Sequence, residues 1–158
     1  DMGAAMSPFN AFMFIQGMET LHLRMREHSA NGQKVAEHLS KHSMVERVAY
    51  PGTSSGLPKE RADKYLSNGC GGLLGFEIKG GHEAGKKFIN SLEMLYHVAN
   101  IGDSRSLAIH PASTTHSQLN EEELASGGIS SGYIRLSIGL EHIDDILADI
   151  DQALAKAE

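Results

Sequence analysis

The chain opens on a helical pattern too long for a small domain to contain. Ser7-Pro8 begins it, because a serine side chain can accept from the free N–H groups of a first helical turn and proline there loses nothing by lacking its own. Phe9, Phe12, Met13, Gln16, Leu21, Met25, Val35 and Leu39 then recur at roughly helical spacing. Gly17 and Gly32 interrupt the pattern, but no proline does. The spacing predicts one long helix, or two nearly collinear ones, from Ser7 to about Leu39, roughly 50 Å long at the α-helical rise. A helix of that length should cross a domain boundary and reach a neighbour. The opening Asp1-Met2-Gly3-Ala4, with no initiator at position 1, leads to the same expectation of a piece of a longer polypeptide. Residues 1–40 are therefore read as a link to an absent domain and 41–158 as a domain in their own right.

Past the helix, Pro51-Gly52-Thr53-Ser54-Ser55-Gly56-Leu57-Pro58 packs turn formers together and reads as a surface loop. A short helix is expected at Lys59–Tyr65, a strand at Leu73–Ile78 and a helix at Glu83–Leu92. Further strands are expected at Tyr96–Ile101, Leu107–His110 and Tyr133–Ile138. The last segment has the clearest periodicity: Ile143, Ile146, Leu147, Ile150 and Leu154 fall on one helical face. Helices on a sheet of three to five short strands make an α/β sandwich.

Composition removes several function classes. Fourteen Lys plus Arg against 20 Asp plus Glu give a net charge of −6 with no basic stripe, so nucleic acid and anionic membrane are poor partners. The longest apolar run, Ala11–Ile15, is far too short to span a bilayer. One cysteine, Cys70, cannot close an internal disulfide and fits a reducing compartment. A cytoplasmic protein is the expectation.

Among the nine histidines, His38 and His42 sit four apart and would share a helical face, but no third ligand stands at a telling spacing, so a solvated face is expected. His22 and His28, six apart, would not share one. Cys70 lies between glycines without a basic neighbour to activate it, which suits a packed turn residue. Gly69–Gly72 and Gly80-Gly81 resemble phosphate-cradling loops in composition only. The polar stretch Asn100–His116 is different, because long polar loops beside a sheet are where binding residues gather. Arg135 stands in the middle of an apolar strand, and a buried guanidinium is costly unless it meets an anion. Its planar fork suits a carboxylate held by two parallel bonds. That carboxylate could belong to a ligand or to the chain itself, through Glu141 or an aspartate.

Three motifs together carry a family resemblance. Ser7-Pro8-Phe9-Asn10-Ala11-Phe12, followed by Gln16-Gly17-Met18-Glu19-Thr20-Leu21 and Arg24-Met25, resembles the helix that leaves the cofactor domain in the Cys/Met-metabolism family of pyridoxal-phosphate enzymes. The loop Asn100–His116 and the run from Ile134 to Ile146 resemble that family's two C-terminal signatures. Within the family, Ala99-Asn100-Ile101-Gly102-Asp103 and Ser106–His116 are most similar to the wording of the O-acetylhomoserine sulfhydrylases.

The resemblance implies the small C-terminal domain of a fold-type-I pyridoxal-phosphate enzyme, with a short, mainly antiparallel sheet. It implies a homotetramer of dimers that replaces the γ-acetoxy group of O-acetylhomoserine by sulfide to give homocysteine. It also implies that Arg135 holds the substrate α-carboxylate with help from Asn100. Cystathionine-forming and cystathionine-cleaving relatives carry an acidic residue where this chain has Ala99. The cofactor-anchoring lysine and the other cofactor contacts fall upstream of Asp1 in the family, so the isolated chain is expected to be inactive. A methionine γ-lyase or cystathionine-type lyase of the same family and, from another class, a non-catalytic α/β assembly module are the alternatives.

Overall fold

The computed structural model describes Gly3 and residues 5–158. Asp1, Met2 and Ala4, at the head of the expected link, lie outside the described residues. Helix α1 (Pro8–Glu19) starts where the sequence indicates, with Ser7 Oγ accepting from the Asn10 N–H at 3.2 Å. The helical path breaks at Thr20 (φ −105°, ψ 6°), and α2 continues over Leu21–Leu39. The break is at neither glycine. Arg24 spans it, donating from Nη1 to Thr20 Oγ1 at 2.5 Å and from Nη2 to the Gly17 carbonyl at 2.8 Å. Gly32 has another use: a Cβ there would lie 2.6 Å from the Gly71 carbonyl oxygen, so its absence lets α2 settle onto the turn that precedes the strand at Leu73–Ile78.

The remaining elements are β1 (Val45–Ala49), α3 (Leu57–Tyr65), β2 (Leu73–Ile78), α4 (Gly81–Ser91), β3 (Tyr96–His97), β4 (Leu107–Ile109), α5 (Glu121–Ser126), β5 (Tyr133–Ser137) and α6 (Ile143–Ala157). Short 3-10 turns lie at Pro51–Thr53 and Pro111–Ser113. The sheet order is β1-β2-β5-β4-β3, antiparallel except for the parallel β3–β4 pair.

Several elements depart from the expectations. The strand expected over Tyr96–Ile101 keeps only Tyr96 and His97, because the chain leaves the ladder after the Val98 N–H bonds to the Ala108 carbonyl and turns into a loop. Helices α3 and α4 each begin two residues early, at Leu57 and Gly81, and α6 runs on to Ala157. Strand β1 was not expected. It is a sheet edge whose Glu46, Arg47 and Ala49 are exposed, which blurs the apolar alternation. Helix α5 was not expected either, although Asn120 and Glu123 cap it reciprocally, each side chain bonding the other's backbone N–H.

Strand alternation gives the sheet two unlike faces. Leu74, Phe76 and Ile78 of β2, Ile134 and Leu136 of β5, and the following Ile138 join Val35, Leu39, Phe88, Ile146, Ile150 and Leu154 in the core beneath α2, α4 and α6. The Phe76 and Phe88 rings meet edge to face at 5.4 Å. The opposite face carries Arg47 beside Glu77, Glu77 beside Tyr133, Gly75 beside Arg135, and Leu73 beside Ser137. No helix among the described residues is long and apolar enough to cross a membrane.

Candidate functional site

Arg135 is centred on the face of β5 turned away from the core, between Gly75 of β2 and Ile109 of β4. Gly75 is glycine for a steric reason. A Cβ at that position would overlap the Tyr133 hydroxyl and ring, which cross the strand there. Burial pushes the Tyr133 phenol above its ordinary value.

The guanidinium of Arg135 does not meet Glu141 or any aspartate. Its Nη2 donates to the Ala99 carbonyl at 2.7 Å and the Asn100 carbonyl at 3.3 Å, and no carboxylate pairs with it among the described residues. Glu141 is committed elsewhere, accepting from the Ser106 N–H at 2.6 Å and the Ser106 hydroxyl at 2.9 Å. Arg135 is thus held at one nitrogen by two neutral acceptors that leave its positive charge uncompensated. Nε and Nη1 keep donors for an incoming anion. Asn100 enters the arrangement through its main-chain carbonyl, and the residue is exposed.

The loop between β3 and β4 is fastened at both flanks. Upstream, Asp149 of α6 accepts from the N–H groups of Glu93, Met94 and Leu95 at 2.8 to 2.9 Å. Burial opposes ionisation of that carboxyl. The donors of Leu95, Glu93, Met94 and Gln152 outweigh it and hold Asp149 below the ordinary carboxylate range. Downstream, Ser106 Oγ accepts from the Gly139 N–H at 2.9 Å, and the Leu140 N–H reaches the Ser104 carbonyl at 2.8 Å. Asn31 and His28 of α2 tie the same turn to the helix, through the carbonyls of Gly139, Glu141 and Ile138. Within the loop Asp103 pairs with Arg105, whose guanidinium lies 4.6 Å over the Tyr96 ring. The Arg105 backbone N–H and then its guanidinium hold Asp103 below its usual range.

His110 closes the polar stretch. Fully buried, it bonds Ser113 Oγ at 2.8 Å through Nδ1 and the Ser131 carbonyl at 2.7 Å through Nε2, so the ends of the 111–130 excursion meet on one ring. Burial holds its pKa below the ordinary value, which keeps the ring neutral.

A cleft of about 250 Å³ opens beside Ser137, walled by Leu21, Met25, Leu73 and Ile101 with Arg24 among its lining residues. No lysine lines it. Lys59, Lys79, Lys86 and Lys156 are engaged with Asp63, the Ser43 carbonyl, Glu83 and Glu93. His38 and His42 do not form a metal pair: His38 Nε2 bonds Asp151 at 2.6 Å, and His42 Nδ1 accepts from the Met44 N–H. No metal-binding group of three ligands exists among the described residues. Cys70 is half-buried in the cleft wall.

The sequence singled out Arg135, Asn100 and the loop, and the structure brings them together. Within that loop Ser106 was not picked out, and Ser137, Asn31, His28 and Asp149 lie outside it and were not given a part in the site. Asn31 and His28 carry one signal, since they share the buried face of α2 with Gly32 and Val35, whereas Ser137 follows the period of the open sheet face and carries none.

Fold and site define a small α/β domain that carries, among the described residues, an arginine without a carboxylate partner on the open face of its sheet. The chain belongs to the Cys/Met metabolism PLP-dependent enzyme family, whose model matches residues 1–155. It is 56% identical over 155 residues to the O-acetyl-L-homoserine sulfhydrylase of Leptospira meyeri, covering 98% of this chain and 35% of that protein. It is 47% identical over 152 residues to the L-methionine gamma-lyase of Pseudomonas putida, covering 96% of this chain and 38% of the lyase. A Campylobacter jejuni crystal structure described as an O-acetylhomoserine (thiol)-lyase superposes with a TM-score of 0.88 at 46% identity, over 98% of this chain and 37% of that one. It carries a pyridoxyl-lysine phosphate group. The chain therefore spans little more than a third of the length of these relatives.

Proposed function

We propose that this chain is the substrate-binding C-terminal portion of a pyridoxal-phosphate-dependent O-acetylhomoserine sulfhydrylase, which makes homocysteine from O-acetylhomoserine and sulfide. The observation that carries the reading is Arg135, aimed by two main-chain carbonyls with its charge unpaired. A substrate α-carboxylate would supply the missing anion and accept the fork in a bidentate pair. Asn100, beside the guanidinium, would assist it. In this reading residues 1–40 link to the cofactor-binding part and residues 41–158 form the substrate domain. The complete enzyme works in the cytoplasm as a homo-oligomer.

The cofactor supplies an electron sink at the substrate's α-carbon when bound. Residues of this chain do not fit its covalent anchor, since no lysine lines the cleft beside the clamp. Their share is to bind and orient: Arg135 fixes the carboxylate, and the loop Ala99–Ser106 fixes Arg135.

Ala99 bears on the sulfur donor. Its carbonyl meets the guanidinium, and its exposed methyl side chain offers no charge. An incoming cysteine would bring an ammonium with no carboxylate to receive it, whereas sulfide or a small thiol needs none. The 47% identity to methionine gamma-lyases favours one competing reading, release of methanethiol from methionine. Initial rates of the full-length enzyme with O-acetylhomoserine plus sulfide, with O-acetylhomoserine plus cysteine, and with methionine alone decide between them. Sulfide should dominate. Comparable rates with cysteine would reject the role of Ala99, and dominant methanethiol release would make the enzyme a lyase.

A further inference from the structure

We infer that Ser137 is a positioning residue for the Arg135 clamp, acting through the loop that aims the guanidinium. Ser137 is 5% exposed and lies on the same face of β5 as Arg135, two residues on. Its Oγ accepts from the Gly102 N–H at 3.1 Å. Gly102 has φ +77°, a backbone angle that costs glycine nothing, so the loop turns sharply there, two residues past Asn100.

The tethers of this stretch are few. Val98 is still in the ladder with Ala108, and Ser104 is already fixed to Leu140. Between them, among the described residues, the backbone of residues 99–103 touches the rest of the fold at the Ala99 and Asn100 carbonyls, held by Arg135, and at the Gly102 N–H, held by Ser137. Without the serine, the loop that aims the arginine would be tethered in that stretch by the arginine alone. Loop and guanidinium could then shift together, and a fork misaligned by a fraction of an ångström loses the second of its two parallel bonds. With the serine, both ends of the turn are referred to one rigid strand. Ser137 also leaves its face free of bulk: it sits across from Leu73 and Leu107, where the cleft begins.

This inference rests on the reading of Arg135 as the carboxylate clamp, and the experiment separates the two. In the full-length enzyme, Ser137→Ala should raise KM for O-acetylhomoserine about fivefold, the effect of one ordinary hydrogen bond, with kcat kept within twofold. Ser137→Thr, which restores a hydroxyl, should return KM toward the parent value. Ser137→Cys keeps the volume with only a weak acceptor and should behave like the alanine variant, which covers the case in which Ser137→Ala does not fold. In an Arg135→Ala background, Ser137→Ala should add nothing to KM, because the group it positions is gone. If Arg135→Ala raises KM while Ser137→Ala or Ser137→Cys only lowers the melting temperature, the positioning role is wrong and the clamp stands. If Arg135→Ala itself leaves KM unchanged, the clamp falls, and the role of Ser137 with it.

Discussion

Asp149 shows how much one buried side chain decides away from the chemistry. It sits on the inward face of α6, 6% exposed, and gathers three successive N–H groups at the turn that leads from α4 into β3. A neutral amide cannot receive three donors in that geometry. Asp149→Asn should therefore cost about 1–3 kcal/mol, the penalty of leaving a buried donor unmet. Amide exchange at residues 93–95 in the full-length protein reads the loss locally, as faster exchange than in the parent. The sign of the pH effect follows from the depressed pKa. The folded carboxyl titrates below its ordinary value of 3.8, so its contribution is complete above that value and is lost as the pH falls through the lower folded one. Protection at residues 93–95, taken relative to the intrinsic exchange rate at each pH, should fall on acidification in the parent and stay flat in Asp149→Asn. A parent equally protected on both sides of that window would show that the carboxylate contributes nothing.

At the scale of elements, what the sequence made legible was whatever buried a continuous apolar face. The span of β2 was readable because Leu74, Phe76 and Ile78 alternate without interruption, and α6 because its isoleucines and leucines keep one stripe. Strand β1 was hidden because an edge buries little, and β3 was overread because Val98 and Ile101 look like strand residues although they sit exposed in the loop. The proposed clamp was half legible: an arginine in an apolar strand drew attention to Arg135, although the residue is half-buried on the open face and not enclosed. That two carbonyls would hold it, and that a serine would brace those carbonyls, depended on backbone paths no local pattern encodes. The break at Thr20 shows the same limit, since Gly17 and Gly32 were the visible interruptions and neither is its site. Gly32 instead marks a contact between elements. Gly32→Ala would drive a Cβ to 2.6 Å from a main-chain oxygen, which cannot rotate away. The substitution should cost about 1–3 kcal/mol by overpacking, despite alanine's better helix propensity. A melting temperature at or above that of the parent would mean that α2 slides off the turn at little cost.

The whole molecule is lopsided. Helix α1 buries none of its residues, and Phe9, Phe12, Met13, Phe14, Ile15 and Met18 are each more than half exposed, on every side of the helix. A helix apolar all round belongs in an interior, and the relatives are long enough to provide one, since this chain covers little more than a third of them. The division of labour proposed for the complete enzyme has a consequence for the isolated chain. It should hold no pyridoxal phosphate covalently. After mixing with cofactor and dialysis, its visible spectrum should be blank, and a persistent band traced to one particular lysine would contradict that division. The central claim, that Arg135 receives the substrate carboxylate, is tested most directly by steady-state kinetics of the full-length enzyme carrying Arg135→Ala and Arg135→Lys. Losing a desolvated bidentate pair should cost about 3 kcal/mol, or roughly a hundredfold in KM for O-acetylhomoserine. Lysine should recover little of it, because an ammonium cannot reproduce the fork. A KM unchanged in Arg135→Ala would contradict the claim and place the carboxylate site elsewhere in the enzyme.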